Sequence, residues 1–296
     1  MVRPCAFGFN PQTAANNAFQ QKGHENKAQE NALREFDGYV ELLRSNGVKV
    51  NVVDDTPSPH TPDSIFPNNW FSTHSDGTLV LYPMFAPNRR AERKEGVLDY
   101  IIEKFDVQSI LDLTSFENDG LFLEGTGSMV IDRASGVVFA CRSPRTSEVV
   151  LQQFCKNFGW KYFLFNANDA SGSAIYHTNV LMCIGSKVAV VCMSAITDHS
   201  ERDEFESRMK ECGKEIVDIS FDQMNNFAGN MLELHSDQPL IIMSATARRC
   251  LHPDQVAKIE KSCRIVSPEI NCIEVNGGGS ARCMLAEIYL KKYSFY

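Results

Sequence analysis

The chain has 296 residues, 43% of them hydrophobic, with a formal net charge of −8 and a sequence pI near 5.4. That acidity argues against nucleic acid or an anionic membrane as the main partner, since both need a basic face, and leaves a small molecule as the expected one. Ten cysteines without a C-x-x-C pair predict reduced thiols in a cytoplasmic protein rather than a disulfide framework or a zinc site, and no apolar run reaches the roughly 18 residues of a membrane span.

The chain opens on fold sequence, with no secretory leader expected, and a short strand over residues 2–7 comes first. A polar, asparagine-containing stretch at 10–21 reads as a loop or lid. A helix over 25–45 and a strand over 48–53 follow. Strands at 70–73 and 79–82, a helix over 88–105 and a strand at 109–111 make the next group. The same order then recurs most clearly: strands 128–131 and 137–141 flank an Asp-Arg-Ala-Ser-Gly turn, a helix covers 146–158, and 161–165 is a strand. Strands 178–184 and 188–193, a helix over 200–212 and a strand at 215–219 repeat it, as do 231–234, 240–243, a helix over 253–261 and a strand at 264–266. A fifth copy is split between the chain ends, its hairpin formed by the approach to Cys283 with residues 2–7. Cys283 itself closes the run Asn276-Gly277-Gly278-Gly279-Ser280-Ala281-Arg282-Cys283. The triple glycine permits a close backbone approach, and residues 284–290 read as a helix whose start would favour a thiolate.

Asn69, Glu124, His177, Asn230 and Cys283 lie 55, 53, 53 and 53 residues apart. Five strand-strand-helix-strand units closing on themselves would bring one such position from each unit to a shared axis. This predicts an α/β fold, a five-bladed propeller, in one domain over residues 1–296. A thiolate nucleophile needs a proton acceptor and later a donor, and His177 is the imidazole that the repeat places near Cys283. His24, His60, His199, His235 and His252 lie in polar surroundings and read as surface residues, while His74 ends a strand. Glu124 sits between an apolar strand and a glycine turn, where burial would demand a partner for its charge.

Five motifs now stand in order: Pro62-Asp63-Ser64-Ile65-Phe66-Pro67-Asn68-Asn69, Leu123-Glu124-Gly125-Thr126-Gly127, Tyr176-His177-Thr178-Asn179, Gly229-Asn230-Met231-Leu232 and Gly277-Gly278-Gly279-Ser280-Ala281-Arg282-Cys283-Met284. Together they resemble the guanidino-group-modifying superfamily of arginine deiminases, dimethylarginine hydrolases and amidinotransferases. Within it they most resemble the arginine-deiminase-related branch that includes a citrulline-utilising hydrolase. The resemblance covers nearly the whole chain. It implies the five-bladed pseudo-symmetric α/β propeller called a pentein and a Cys-His-Glu site without cofactor or metal. Cys283 would be the nucleophile, His177 the general acid and base, and Glu124 the carboxylate. Ser143-Pro144-Arg145-Thr146 and Pro87-Asn88-Arg89-Arg90 resemble segments whose arginines hold a substrate α-carboxylate, which assigns Arg145 with Arg89 or Arg90 to that group.

The departures from the pattern carry the substrate argument. Relatives that act on a guanidinium place an acid where this chain has Asn68-Asn69, and an acid two residues after the histidine, where it has Asn179. Gly127 likewise replaces the last residue of a Glu-Gly-Gly-Asp motif. A guanidinium offers only donors, whereas a ureido group is neutral and also offers a carbonyl acceptor. Asn68, Asn69 and Asn179 therefore predict a ureido substrate, citrulline first, cleaved to ornithine through an S-carbamoyl cysteine. The alternative is an arginine deiminase or methylarginine hydrolase that holds its guanidinium through Glu124. An amidinotransferase lacks its carboxylate pair here, and a non-catalytic propeller binding protein would have no use for Cys283, His177 and Glu124 together. Assembly into a homo-oligomer is compatible with all of these.

Overall fold

A computed structural model describes residues 1–15, 17, 19–21 and 27–293. Val2–Arg3 (β1) pairs in parallel with Val53–Asp54 (β2). Four further sheets follow in chain order: Phe71–Thr73, Thr78–Leu81 and Ser109–Asp112 (β3 to β5); Met129–Asp132, Val137–Cys141 and Lys161–Phe165 (β6 to β8); Met182–Ile184, Val188–Val191 and Glu215–Asp218 (β9 to β11); Leu232–His235, Pro239–Ile242 and Arg264–Val266 (β12 to β14). In each, the first two strands are an antiparallel hairpin and the third returns parallel to the second. A parallel return needs a crossover, and a helix supplies it every time. These are Glu95–Lys104, Glu148–Phe158, His199–Glu211 and Pro253–Glu260, with Ala28–Ser45 between β1 and β2. Four three-stranded sheets repeating one topology, with β1 and β2 as a fifth that keeps only the parallel pair, are the blades of the expected pentein propeller.

Each crossover helix is held by an apolar stripe. Ala32, Phe36, Tyr39 and Leu43 recur at helical spacing on Ala28–Ser45 and are buried, as are Val150, Leu151, Phe154 and Cys155 on Glu148–Phe158. Burial of each large side chain contributes roughly 1.5–3 kcal/mol.

Several expected boundaries shift, for one shared reason. The first strand of a blade does not begin at the landmark residue but after a tight helical turn: Pro67–Asn69, Gly125–Ser128 and Thr178–Leu181, with turns at 226–229 and 281–284 in the same place. The landmarks thus sit on turns at one end of the inner strands. Gly125 shows how closely these turns meet: its φ is +47°, and a Cβ there would overlap the backbone carbonyl of Asn68.

Residues 284–290 form neither the expected helix nor a strand of the fifth blade. Their polar groups are taken elsewhere, with Arg282 donating to the Leu285 carbonyl, Thr73 Oγ1 to the Glu287 carbonyl and the Tyr289 N–H to Thr73 Oγ1. Cys283 is therefore not at a helix start. The glycine run instead ends the helix Asn271–Gly277, with Gly278 as its left-handed cap. The expected helix over 88–105 divides into Pro87–Arg90 and Glu95–Lys104, because Lys94 turns extended and ties its Nζ to Asp55 and the Thr56 carbonyl. The strand expected at 48–53 is confined to β2, as Val48, Val50 and Val52 pack side chains into the neighbouring core.

Candidate active site

The glycines place Cys283 by letting an aromatic ring in close. A Cβ on Gly277 or Gly279 would come within 2.7 or 2.9 Å of the Phe66 ring. Beyond them, Ser280 Oγ donates to Glu274 Oε1 at 2.6 Å and the Cys283 N–H closes the turn on the Ser280 carbonyl at 3.0 Å. Cys283 is 6% exposed. Its Sγ lies 3.2 Å from Asn230 Nδ2 and 3.4 Å from Asn179 Nδ2.

His177 precedes the turn Thr178–Leu181, and Glu124 precedes the equivalent turn one blade earlier. The two meet with Nε2 and Oε2 at 2.7 Å, both buried. Arg145 donates to the same Oε2 at 3.3 Å, and the Phe85 N–H to Oε1 at 3.0 Å. Burial opposes ionisation of Glu124, but Arg145, His177 and Arg89 outweigh it and hold the carboxyl below the usual range. Burial pushes the His177 imidazole down to about 4, against the pull of Glu124. At neutral pH the pair is thus a carboxylate and a neutral imidazole. Since the carboxylate can only accept, Nε2 carries the proton and Nδ1 the lone pair.

Asn69 reaches the same space with a fixed orientation. Arg89 Nη1 donates to its Oδ1 at 2.8 Å, so the amide presents Nδ2, which lies 3.5 Å from the Glu124 carbonyl. Arg89 is itself clamped by Glu92 through two bonds of 2.8 and 2.9 Å and by the Phe66 carbonyl at 3.1 Å. It is an arm that sets Asn69 rather than an open carboxylate clamp. Arg90 is directed away, to the Met84 and Phe85 carbonyls and the Phe122 ring. Asn68 turns from the cavity to Thr126, leaving Asn69 as the amide of that motif which lines it. Asn179 does not line the cavity either; it stands behind the sulfur.

Asn10, Thr13, Asn17 and Gln20 cover the opening. Asn10 caps a short helix, Pro11–Ala14, and donates to Asp63 Oδ2 at 2.7 Å; Thr13 Oγ1 donates to the same oxygen at 3.0 Å. Arg145 Nη2 donates to the Thr13 carbonyl at 3.1 Å. Asn17 and Gln20 donate to the carbonyls of Gly278 and Asn276. Under this cover lies a narrow cavity of about 20 Å³ lined by Thr13, Asp63, Asn69, Arg145, His177 and Cys283, among others. Asp63, buried and pushed up by that burial, keeps Oδ1 without a partner there.

The structure thus gathers Cys283, His177, Glu124, Asn69 and Arg145 at one point, with Arg89 behind Asn69. His60, His199, His235 and His252 are exposed as expected, while His74 is buried against Phe154, Phe158 and Trp160. His24 lies outside the described residues. The sequence reading gave no role to Asp63, although it stands inside the first motif, or to Asn230, although it is one of the five landmarks. Buried acids and amides of this kind carry no periodic signal of their own. All ten cysteines are free, and among the described residues no group of three or more His, Cys, Asp or Glu is placed to hold a metal ion. No helix among them is long and apolar enough to cross a membrane.

Residues 3–290 match the family described as N,N dimethylarginine dimethylhydrolase, eukaryotic. No curated protein matches the sequence. Among solved structures, the N-terminal domain of ArgZ, an arginine dihydrolase from the ornithine-ammonia cycle in cyanobacteria, aligns with a TM-score of 0.73 at 18% identity, over 98% of this chain and 98% of that one; that structure is a cysteine-to-serine mutant bound to substrate. Whole ArgZ aligns at 0.75 and 17% identity over 97% of this chain, which spans 40% of its length. A dimethylarginine dimethylaminohydrolase in adduct with S-methyl-L-thiocitrulline aligns at 0.65 and 13% identity, over 99% and 98% of the two chains. At such identities the likeness establishes the fold.

Proposed function

The chain belongs to the N,N-dimethylarginine dimethylhydrolase family and is a C–N hydrolase of the guanidino-modifying pentein superfamily, and on that premise we propose that it opens the C–N bond of a neutral ureido substrate, with citrulline the leading candidate. One observation carries this reading: the bond from Arg89 to Asn69 Oδ1. An arginine only donates, so Asn69 directs its Oδ1 at Arg89 and turns its Nδ2 N–H toward the cavity. A guanidinium has no acceptor for that N–H, whereas a ureido oxygen is one. Glu124 supports the same conclusion, since both its oxygens are already engaged by Phe85, Arg145 and His177.

In this reading the Cys283 sulfur attacks the ureido carbon and neutral His177 receives the thiol proton. The imidazolium so formed, held by Glu124, passes that proton to the departing side-chain amine, releasing ornithine. Water then adds to the S-carbamoyl cysteine with His177 as base, and the carbamate released decays to CO₂ and ammonia. Asp63 Oδ1, with no partner of its own, takes the substrate α-ammonium, and Arg145 lies beside it for the α-carboxylate.

A second reading is an arginine or methylarginine hydrolase, favoured by the family and by arginine dihydrolase neighbours, with Asp63 receiving the guanidinium instead. Incubation with citrulline, arginine and dimethylarginine, assayed for ornithine, citrulline and ammonia, separates the two. Ornithine from citrulline is expected, and turnover of the guanidino compounds with none of citrulline would sink the proposal. In Asp63→Asn the KM for citrulline should rise by about tenfold or more, from loss of a charged contact. An unchanged citrulline KM would remove Asp63 from the α-ammonium.

A further inference from the structure

We propose that Glu274 is a positioning residue for the nucleophile: through its bond to Ser280 it fixes the start of the turn that ends on Cys283, so that the sulfur keeps its place in the cavity with His177 while the cover opens for substrate. The inference rests on Cys283 being the nucleophile.

Glu274 holds the chain at two points. It lies in the helix Asn271–Gly277, and its backbone carbonyl accepts the N–H of Gly278 at 2.9 Å, where a φ of +63° turns the chain out of the helix. The second bond comes from its side chain. Oε1 accepts the hydroxyl of Ser280 at 2.6 Å, the length of a hydroxyl donating to a carboxylate. Glu274 and Ser280 are both buried. Burial pushes the Glu274 carboxyl up, and the hydroxyls of Ser244, Ser280 and Thr246 pull against it. The helix is anchored at its other end, where Glu35 accepts the N–H groups of Cys272 at 2.9 Å and Ile273 at 3.0 Å.

Ser280 passes that placement on to the sulfur. Its carbonyl accepts the Cys283 N–H at 3.0 Å, which closes the turn with the nucleophile as its last residue. Within the turn the bonds are longer: Tyr39 donates to the Ala281 carbonyl at 3.2 Å, and the Arg282 N–H to Asn230 Oδ1 at 3.1 Å. Gly277, Gly278 and Gly279 have no side chains to bond with, so Ser280 is the first residue of the run that a side-chain bond can hold.

Among the described residues, the bonds of the cover stop at Gly278. Asn17 donates to the Gly278 carbonyl and Gln20 to that of Asn276. The cavity beneath has room for about one water molecule, far less than an amino acid, so the cover must move for substrate to enter. The glycine run then has its greatest backbone freedom. The bond from Ser280 to Glu274 lies outside that movement and keeps the turn in place.

Steady-state kinetics on the compound that the enzyme cleaves, citrulline or else arginine or dimethylarginine, tests this. Glu274→Met fills the space without an acceptor, Ser280→Ala removes the donor, and Glu274→Gln keeps a carbonyl oxygen for the hydroxyl. Glu274→Met and Ser280→Ala should each lower kcat by about 10- to 100-fold with KM within about twofold, since a displaced nucleophile is felt in the reaction and not in binding. Glu274→Gln should keep kcat within about threefold, because the bond survives. The variant carrying both Glu274→Met and Ser280→Ala should be no slower than the slower single one, as both changes break the same bond. A merely structural pair would lower the melting temperature and leave kcat in place. Native kcat in folded Ser280→Ala, or losses that multiply in the double variant, overturns the inference; Ser280→Ala also supplies the reading should Glu274→Met fail to fold. Turnover surviving in Cys283→Ala would instead overturn Cys283 as nucleophile.

Discussion

At the scale of single residues, the site is built from side chains whose hydrogen-bonding direction is forced. Arg89 decides what Asn69 can offer, the Arg282 N–H decides it for Asn230, and Glu124 decides which nitrogen of His177 holds the proton. Gly127 belongs to the same logic. A Cβ there would overlap Asn69 Nδ2 and lie 2.8 Å from the His177 ring. Its lack of a side chain is therefore space for the site. Gly127→Ala should lower kcat/KM by about a hundredfold through displacement of the imidazole, with the melting temperature little changed. Native kinetics in that variant would show that the ring has room to spare. The residues of this set were visible in sequence; the direction of each amide was not, because it is set by partners 20 and 52 positions away.

At the scale of elements, two segments decide how the site is closed. Each landmark lies on or beside an equivalent turn, which explains why the landmarks recur near every fifty residues. Asn10, Thr13, Asn17 and Gln20, which cover the opening, are polar yet buried because they bond the buried Asp63 and residues 276–278, and the carbonyl of Thr13 faces Arg145. Composition there pointed to a loop or lid, while the contacts these residues make were not legible. Thr13→Val keeps the shape and removes the hydroxyl that bonds Asp63 and Gln20. Local opening should become easier by about 1–2 kcal/mol, read as about 5- to 30-fold faster amide exchange confined to this segment. Unchanged exchange would mean that the cover is held by its other bonds. Met284 to Leu290 has helical composition but forms no helix. The backbone groups there are claimed by Thr73 and Arg282 instead.

At the scale of the whole molecule, burying the pair of His177 and Glu124 at the propeller axis ties stability to pH. The unfolded imidazole takes up its proton near pH 6.5, whereas the folded one resists until about 4. Below 6.5 the unfolded chain binds the extra proton, so stability falls as the pH drops toward 4 and is fully present above 6.5. His177 alone accounts for roughly 3 kcal/mol over that interval. Buried His74, pushed down to about 3, adds to the loss in the same direction. Glu124, held low, contributes stability above the ordinary carboxylate range that is lost on further acidification. Urea unfolding at pH 7, 5.5 and 4.5 should therefore show a steady decline; a flat profile above pH 5 would mean that His177 is already protonated in the native state.

The sequence by itself determined the order of strands and helices in four blades and the spacing of the five landmarks, and it singled out the cysteine, histidine and glutamate as candidates. Strand and helix periodicity and glycine placement are local properties, and a repeat can be read along one chain. Only the tertiary structure decided which asparagine faces the cavity, that Arg89 is held by Glu92 and bonds Asn69, and that Asn179 and Asn230 converge on the sulfur. Those choices are made where turns from different blades meet at the axis, and each hydrogen bond there joins groups that the sequence keeps far apart.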